Sequence, residues 1–177
     1  MIYIKNLFAT FIAIFLTAFL ALPGTAQNKG AGFDPKRDAA KDLEDAIHLA
    51  RKLNKRILVD VGDSGCGWCR NLSEFFETNE EAARLLRKSY ILVKVNWSLE
   101  NENKEVLSRY PKIPGYPHLF VLDGNGKLLH SQRTFLLHSG GHHDPAKVIS
   151  FLKKWVQSHE PAGCGSGGDN GDYERYG

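Results

Sequence analysis

Cysteine is scarce in this sequence, with three among 177 residues. A secreted domain held together by disulfides usually carries four or more. A structural zinc site needs four ligands, typically from two cysteine pairs. Charge of one sign is lacking too: 23 Lys and Arg stand against 20 Asp and Glu, a balance that argues against a nucleic-acid surface. After residue 22 no uncharged apolar run approaches the roughly 20 residues needed to cross a bilayer. No internal repeat is present.

The one long apolar run lies at the start. "MIYIKNLFATFIAIFLTAFLALPGTAQ" has a single charge, Lys5, then an apolar stretch from Leu7 to Leu22. Pro23 and Gly24 break it, and Gly24-Thr25-Ala26 supplies the small residues a signal peptidase reads. This is the layout of a secretory signal, so residues 1–26 are expected to be a signal peptide directing export, most simply to a periplasm. An uncleaved anchor is the lesser alternative. Residues 27–35 read as a short linker and 36–158 as one domain. Residues 159–177, Gly-rich and without apolar period, read as a flexible tail holding Cys164.

Helical and strand periods alternate through the domain. "FDPKRDAAKDLEDAIHLARKLNKR" predicts a helix capped by Asp34 with Pro35 in its first turn, its Ala39, Leu43, Ala46, Ile47 and Ala50 at helical spacing. "ILVDVGD" predicts a buried strand ended by Gly62. Cys66, Cys69, Leu72 and Phe76 share a helix face, and Thr78 with Glu81 forms a capping-box pattern that restarts the helix. "YILVKVNW" is a second strand, "NKEVLSRY" a short helix, and "PHLFVLDGNGKLLHS" two strands around Asp123–Gly126. Asp144 and Pro145 open a last helix. A strand–helix–strand unit followed by a hairpin implies a mixed sheet with helices on both faces.

The chemistry is concentrated in "GDSGCGWCR", residues 62–70. A staple between Cys66 and Cys69 closes so small a loop that it constrains little of the unfolded chain. Covalent haem attachment requires His after the second cysteine, and residue 70 is Arg. His138, His142 and His143 in "HSGGHHD" could complete a metal site, although histidines in a Gly-rich loop more often face water, and no metal is expected. A redox pair fits best. Outside the cytosol thiols oxidise, and Cys66 falls where a strand gives way to a helix. There unpaired N–H groups and the helix dipole stabilise a thiolate. Cys69, one turn on, lies within disulfide reach.

"ILVDVGDSGCGWC" resembles the strand and active site of the thioredoxin superfamily. "ILVKVNW" is similar to the strand that follows there, and "YPKIPGYPHLFVLDGNGKLL" to the segment with the cis-proline and closing hairpin. The resemblance covers about residues 36–158. It implies an α/β thioredoxin fold, a central mixed sheet with helices on both faces. Cys66 then matches the exposed nucleophile and Cys69 the buried resolving thiol. Asp60 matches a buried acid, and Lys94 the lysine on the neighbouring strand that faces it. Pro117 matches the cis-proline, and Tyr116 the residue presenting backbone to bound peptide. Tyr116 and Trp68 would form an aromatic rim for an extended peptide, unless Trp68 packs on its own domain. Gly65 stands where thioredoxin has Trp, and Trp68 where it has Pro. With the signal segment, these departures look more like exported thioredoxin-like proteins, including the periplasmic thioredoxin domain of DsbD-type reductases.

The resemblance implies a thiol–disulfide oxidoreductase acting on protein thiols and disulfides without a cofactor. An uncharged Gly-Trp between the cysteines and a buried Asp60 both disfavour a strongly stabilised thiolate, which favours a reductase. An exported reductase would need a membrane electron donor, and a monomer is expected. The alternatives are an oxidase or isomerase of exported proteins, or a binding or chaperone module whose cysteine pair stays oxidised.

Overall fold

The computed structural model describes residues 32–157. The segments read as signal peptide and Gly-rich tail, with Cys164, lie outside the described residues.

Helix α1, Ala39–Leu53, begins later than the sequence pattern predicts: Asp38, not Asp34, accepts from the N–H groups of Ala40 and Lys41, and Pro35 lies before the helix. The cause is local. Asp34 bonds the Lys36 N–H with its side chain and the Arg37 N–H with its carbonyl, closing a turn of its own. Strand β1, Arg56–Gly62, leads to α2, Gly67–Thr78, and α3, Glu80–Ser89. The restart of the helix also differs from expectation. Asn79 caps α3 by accepting from Ala82 N–H, while the Thr78 hydroxyl bonds back to Glu74 within α2. Then follow β2, Tyr90–Asn96, the single turn α4, Lys104–Leu107, and the hairpin β3, His118–Leu122, with β4, Leu128–Arg133. A 3₁₀ turn at Thr134–Leu137 and a two-residue ribbon, β5 His138–Ser139 with β6 His142–His143, had no signature in the sequence pattern. Helix α5, Pro145–Lys154, is capped by Asp144 as expected.

The sheet order is β2-β1-β3-β4, with β1 parallel to β2 and antiparallel to β3. This is the mixed sheet that the element order implied. Strand β1 is central, so both its faces are covered. Ile57, Val59 and Val61 join Phe120, Leu122 and the alanines of α1 in one core. Leu58 joins Leu72, Phe76, Leu119, Val121, Val148 and Leu152 in the other. Because side chains alternate along a strand, Asp60 and Gly62 point to the same side as Leu58, toward α2. Among the described residues no helix is long and apolar enough to cross a membrane.

Candidate redox site

The turn after β1 is built by Asp63. Its Oδ1 accepts from the N–H groups of Gly65 and Cys66, at 2.6 and 3.0 Å. The Arg70 guanidinium folds back to donate to the Ser64 carbonyl at 3.0 Å. This sets Cys66 as the N-cap of α2, where its Sγ accepts from the Cys69 N–H at 3.1 Å. Cys66 and Cys69 are joined by a disulfide, with Cα atoms 5.2 Å apart. Cys66 is partly exposed, whereas Cys69 is fully buried. The asymmetry follows from helix geometry: the cap residue stands at the surface end, and a residue three positions on faces the sheet.

Beneath Cys69 lies β1. A Cβ placed on Gly62 would fall 2.6 Å from Cys69 Sγ and 3.1 Å from Phe33 Cζ, so the resolving sulfur rests where only glycine leaves room. The sequence pattern registers Gly62 merely as a strand end; its alternation with Asp60 is the signal that places it under the cysteine. Gly62→Ala is expected to destabilise the protein by about 1–3 kcal/mol through overpacking, measured as a lowered urea midpoint. An unchanged midpoint would show that sulfur and ring move aside freely.

Asp60 is fully buried, and neither carboxylate oxygen has a hydrogen-bond partner. Burial pushes its carboxyl up to about 7, with the Lys94 charge pulling the other way. Lys94 is its register partner on β2. The ammonium, however, bonds to Ser73 Oγ at 3.0 Å and lies 5.5 Å from the centre of the Phe33 ring. Lys94 thus opposes Asp60 without satisfying it. Neither Ser73 nor Phe33 was singled out by sequence reasoning.

Pro117 is buried, and its bond to Tyr116 is cis. It precedes His118, which pairs with Val61, so Tyr116-Pro117 sits at the same end of the sheet as the cysteine turn. The Pro117 carbonyl accepts from Thr134 Oγ1 at 2.5 Å. The two aromatic side chains expected to form a rim each have their own partner. Tyr116 stacks on Trp97, with centroids 5.9 Å apart. Trp68 stacks on His138 at 4.2 Å and meets His143 edge-on at 5.5 Å, yet its side remains 36% exposed. Next to the turn is a groove of about 490 Å³ whose lining includes Asp63, Ser64, Trp97 and Glu102.

The histidines do not all face water, contrary to expectation. The β5–β6 ribbon turns through Gly140 and Gly141, both at positive φ, and folds His138 and His143 onto Trp68. His143 is buried and donates from Nε2 to the Trp68 carbonyl at 3.2 Å; only His142 of the three is exposed. Burial lowers the pKa of both His138 and His143, disfavouring charge on the rings against Trp68. Among the described residues no three His, Cys, Asp or Glu side chains cluster closely enough to hold a metal ion.

Comparison with known proteins agrees with this geometry. The thioredoxin-like family model matches residues 38–124. Spermatogenesis-associated protein 20 of Homo sapiens is 43% identical over 53 residues, which is 30% of this chain and 7% of that protein. An uncharacterised protein of Archaeoglobus fulgidus is 40% identical over 48 residues, 27% of this chain and 38% of that one. The match therefore spans well under half the length of these curated relatives. Among solved structures, the disulphide isomerase from Xylella fastidiosa Temecula1 superposes with a TM-score of 0.60 at 21% identity, covering 71% of this chain and 97% of its own.

Proposed function

We propose that this chain, which has the thioredoxin fold and matches a thioredoxin-like family model over residues 38–124, is an exported thiol–disulfide oxidoreductase of that superfamily that reduces protein disulfides. The observation that carries this reading is the Cys66–Cys69 disulfide at the mouth of α2, one sulfur at the surface and the other buried on the side of an unpaired acid.

In the reduced protein, Cys66 thiolate attacks one sulfur of a substrate disulfide. A mixed disulfide forms, and the first substrate sulfur leaves as a thiolate that takes a proton. Cys69 then loses its proton toward the Asp60 carboxylate and attacks Cys66 Sγ. The Cys66–Cys69 bond forms, the Cys66–substrate bond breaks, and the second substrate thiol departs. Two electrons pass from the dithiol to the substrate. A general base of pKa near the working pH is suited to that proton transfer. In this reading Tyr116, Pro117 and Trp68 border the peptide, with Lys94 moderating the charge on Asp60.

The reducing direction rests on what surrounds the thiolate. Gly67 and Trp68 bring no charge, and burial disfavours charge on the histidines against Trp68. A strong oxidant depends on heavy thiolate stabilisation, and little here provides it. Residues 1–26 support export, and a reductase in an oxidising compartment requires a membrane-borne dithiol donor to restore its own cysteines. The domain is read as a monomer.

Insulin-reduction turnover with dithiothreitol tests the activity, and an equilibrium titration against glutathione tests the direction. The potential is expected nearer the roughly −270 mV of thioredoxin than the roughly −120 mV of DsbA. No turnover would sink the enzyme reading; a value near that of DsbA would reverse the direction.

A further inference from the structure

Phe33 precedes the residues matched by the family model and falls in the segment whose composition reads as a linker. It is nevertheless only 4% exposed. Its ring edge and the Cys69 sulfur approach the same point above Gly62, so the two are neighbours across that glycine. The Lys94 ammonium lies over the same ring. Asp60, one alternation back along β1, is flanked by Lys94 on β2 and Leu119 on β3. Phe33 therefore borders the compartment that contains the resolving cysteine and the lysine, on the face of the sheet that carries the acid.

We propose that Phe33 is a positioning residue of the redox centre: it seals the buried half from water and holds Lys94 toward Ser73 rather than in a direct bond to Asp60. The physical argument is one of dielectric. An unpaired carboxylate tolerates ionisation poorly in a dry site. A cation over an aromatic face is held by the ring quadrupole, and the Ser73 hydroxyl holds one ammonium proton. Remove the ring, and water can hydrate the Asp60 carboxylate while the ammonium becomes free to approach it. Both changes favour the charged acid, so Asp60 would accept the Cys69 proton at lower pH. Lys94 is the charged group that acts on Asp60; Leu119 carries no charge, and Cys69 in the reduced protein is the thiol whose proton Asp60 receives.

This inference rests on the oxidoreductase reading, and one experiment separates the two. Protein carrying Cys164→Ser, in which Cys66 and Cys69 are the only thiols, serves as the parent for every Phe33 variant; it is reduced and mixed with 5,5′-dithiobis(2-nitrobenzoate) at stoichiometric concentration, and thionitrobenzoate release is followed by stopped flow. The first equivalent reports attack by Cys66 to form the mixed disulfide; the second reports attack by Cys69, which closes the Cys66–Cys69 bond. In the wild type the second phase should accelerate as pH rises through about 7. In Phe33→Ala and Phe33→Gln its midpoint should fall by at least about one pH unit, with the first phase changed less than about twofold. Phe33→Leu, which keeps an apolar cover, should shift less than Phe33→Ala. A wild type that releases only one equivalent overturns the oxidoreductase reading, and this inference with it. Two equivalents with an unmoved midpoint in the variants overturn the role of Phe33 alone. Loss of fold in both Phe33→Ala and Phe33→Gln, judged by circular dichroism, would reduce Phe33 to a core residue and also overturn it.

Discussion

Cys69→Ser is expected to turn the protein into a trap for its substrates, with turnover lowered on the order of 10³-fold or more, as for loss of a reacting group that acts as part of a unit. Cys66 stands at the helix N-terminus, partly exposed, its sulfur already accepting a backbone N–H. It can meet a polypeptide disulfide. Cys69 is sealed beneath it, with no exposed surface. Without the resolving thiol, the mixed disulfide between Cys66 and the substrate sulfur that did not leave persists. Non-reducing electrophoresis of reduced Cys69→Ser mixed with insulin should show an adduct that dithiothreitol removes. Cys66→Ser should lose turnover to the same extent and form no adduct, because a buried thiol cannot reach the substrate. An adduct on Cys66→Ser, with none on Cys69→Ser, would reverse the assignment of nucleophile and resolver.

The parts of this architecture that were legible in the sequence are those whose cause is local or strictly periodic. Strand β1 is covered on both faces, so its sequence is an apolar run, and Asp60 stands out as the one residue that interrupts "ILVDV". The cysteine pair is readable because residues three apart at a helix start are neighbours whatever the rest of the chain does. The hairpin and the Asp144-Pro145 cap are similarly local. Where two residues of equal capability lie within a few positions, the pattern does not choose. Asp34 and Asp38 can both cap α1, and Thr78 and Asn79 can both cap α3. The structure takes the later residue each time, because the earlier one is engaged in a bond of its own. Phe33 has no period to betray it: a single aromatic before a helix becomes part of a site only through how the chain returns over the end of the sheet. The β5–β6 ribbon has two-residue strands, shorter than any periodic signal. Nothing in "HSGGHHD" says that two of its histidines will pack on an indole seventy or so residues earlier. Such contacts depend on tertiary closure, and their residue types admit several roles.

Asp60→Asn should stabilise the oxidised protein, increasingly so as the pH rises. The wild-type carboxyl is pushed from 3.8 to about 7 by burial. Its side chain has no hydrogen bond to recover that cost. Between those two values the folded state keeps a proton that the unfolded state has released, so wild-type stability falls as pH increases from about 4 to about 7 and then levels off. At 1.36 kcal/mol per pH unit the loss approaches about 4 kcal/mol at pH 8. Asparagine has nearly the same shape and cannot ionise; its buried amide, unpaired as the carboxyl is, keeps the gain somewhat lower, at about 2–4 kcal/mol. Urea unfolding at pH 4, 6 and 8 should give midpoints that nearly coincide at pH 4 and separate progressively above it, the variant being more stable. Parallel curves would mean that Asp60 titrates alike in the folded and unfolded states and is not held dry. A residue that weakens the fold at working pH persists more readily if the chemistry uses it. The same variant should therefore lose the pH-dependent acceleration of the second thionitrobenzoate phase while retaining the first. A more stable protein that resolves its mixed disulfide slowly would place the cost of burying Asp60 on the proton transfer from Cys69; retention of the wild-type second phase in Asp60→Asn would remove Asp60 from the reaction.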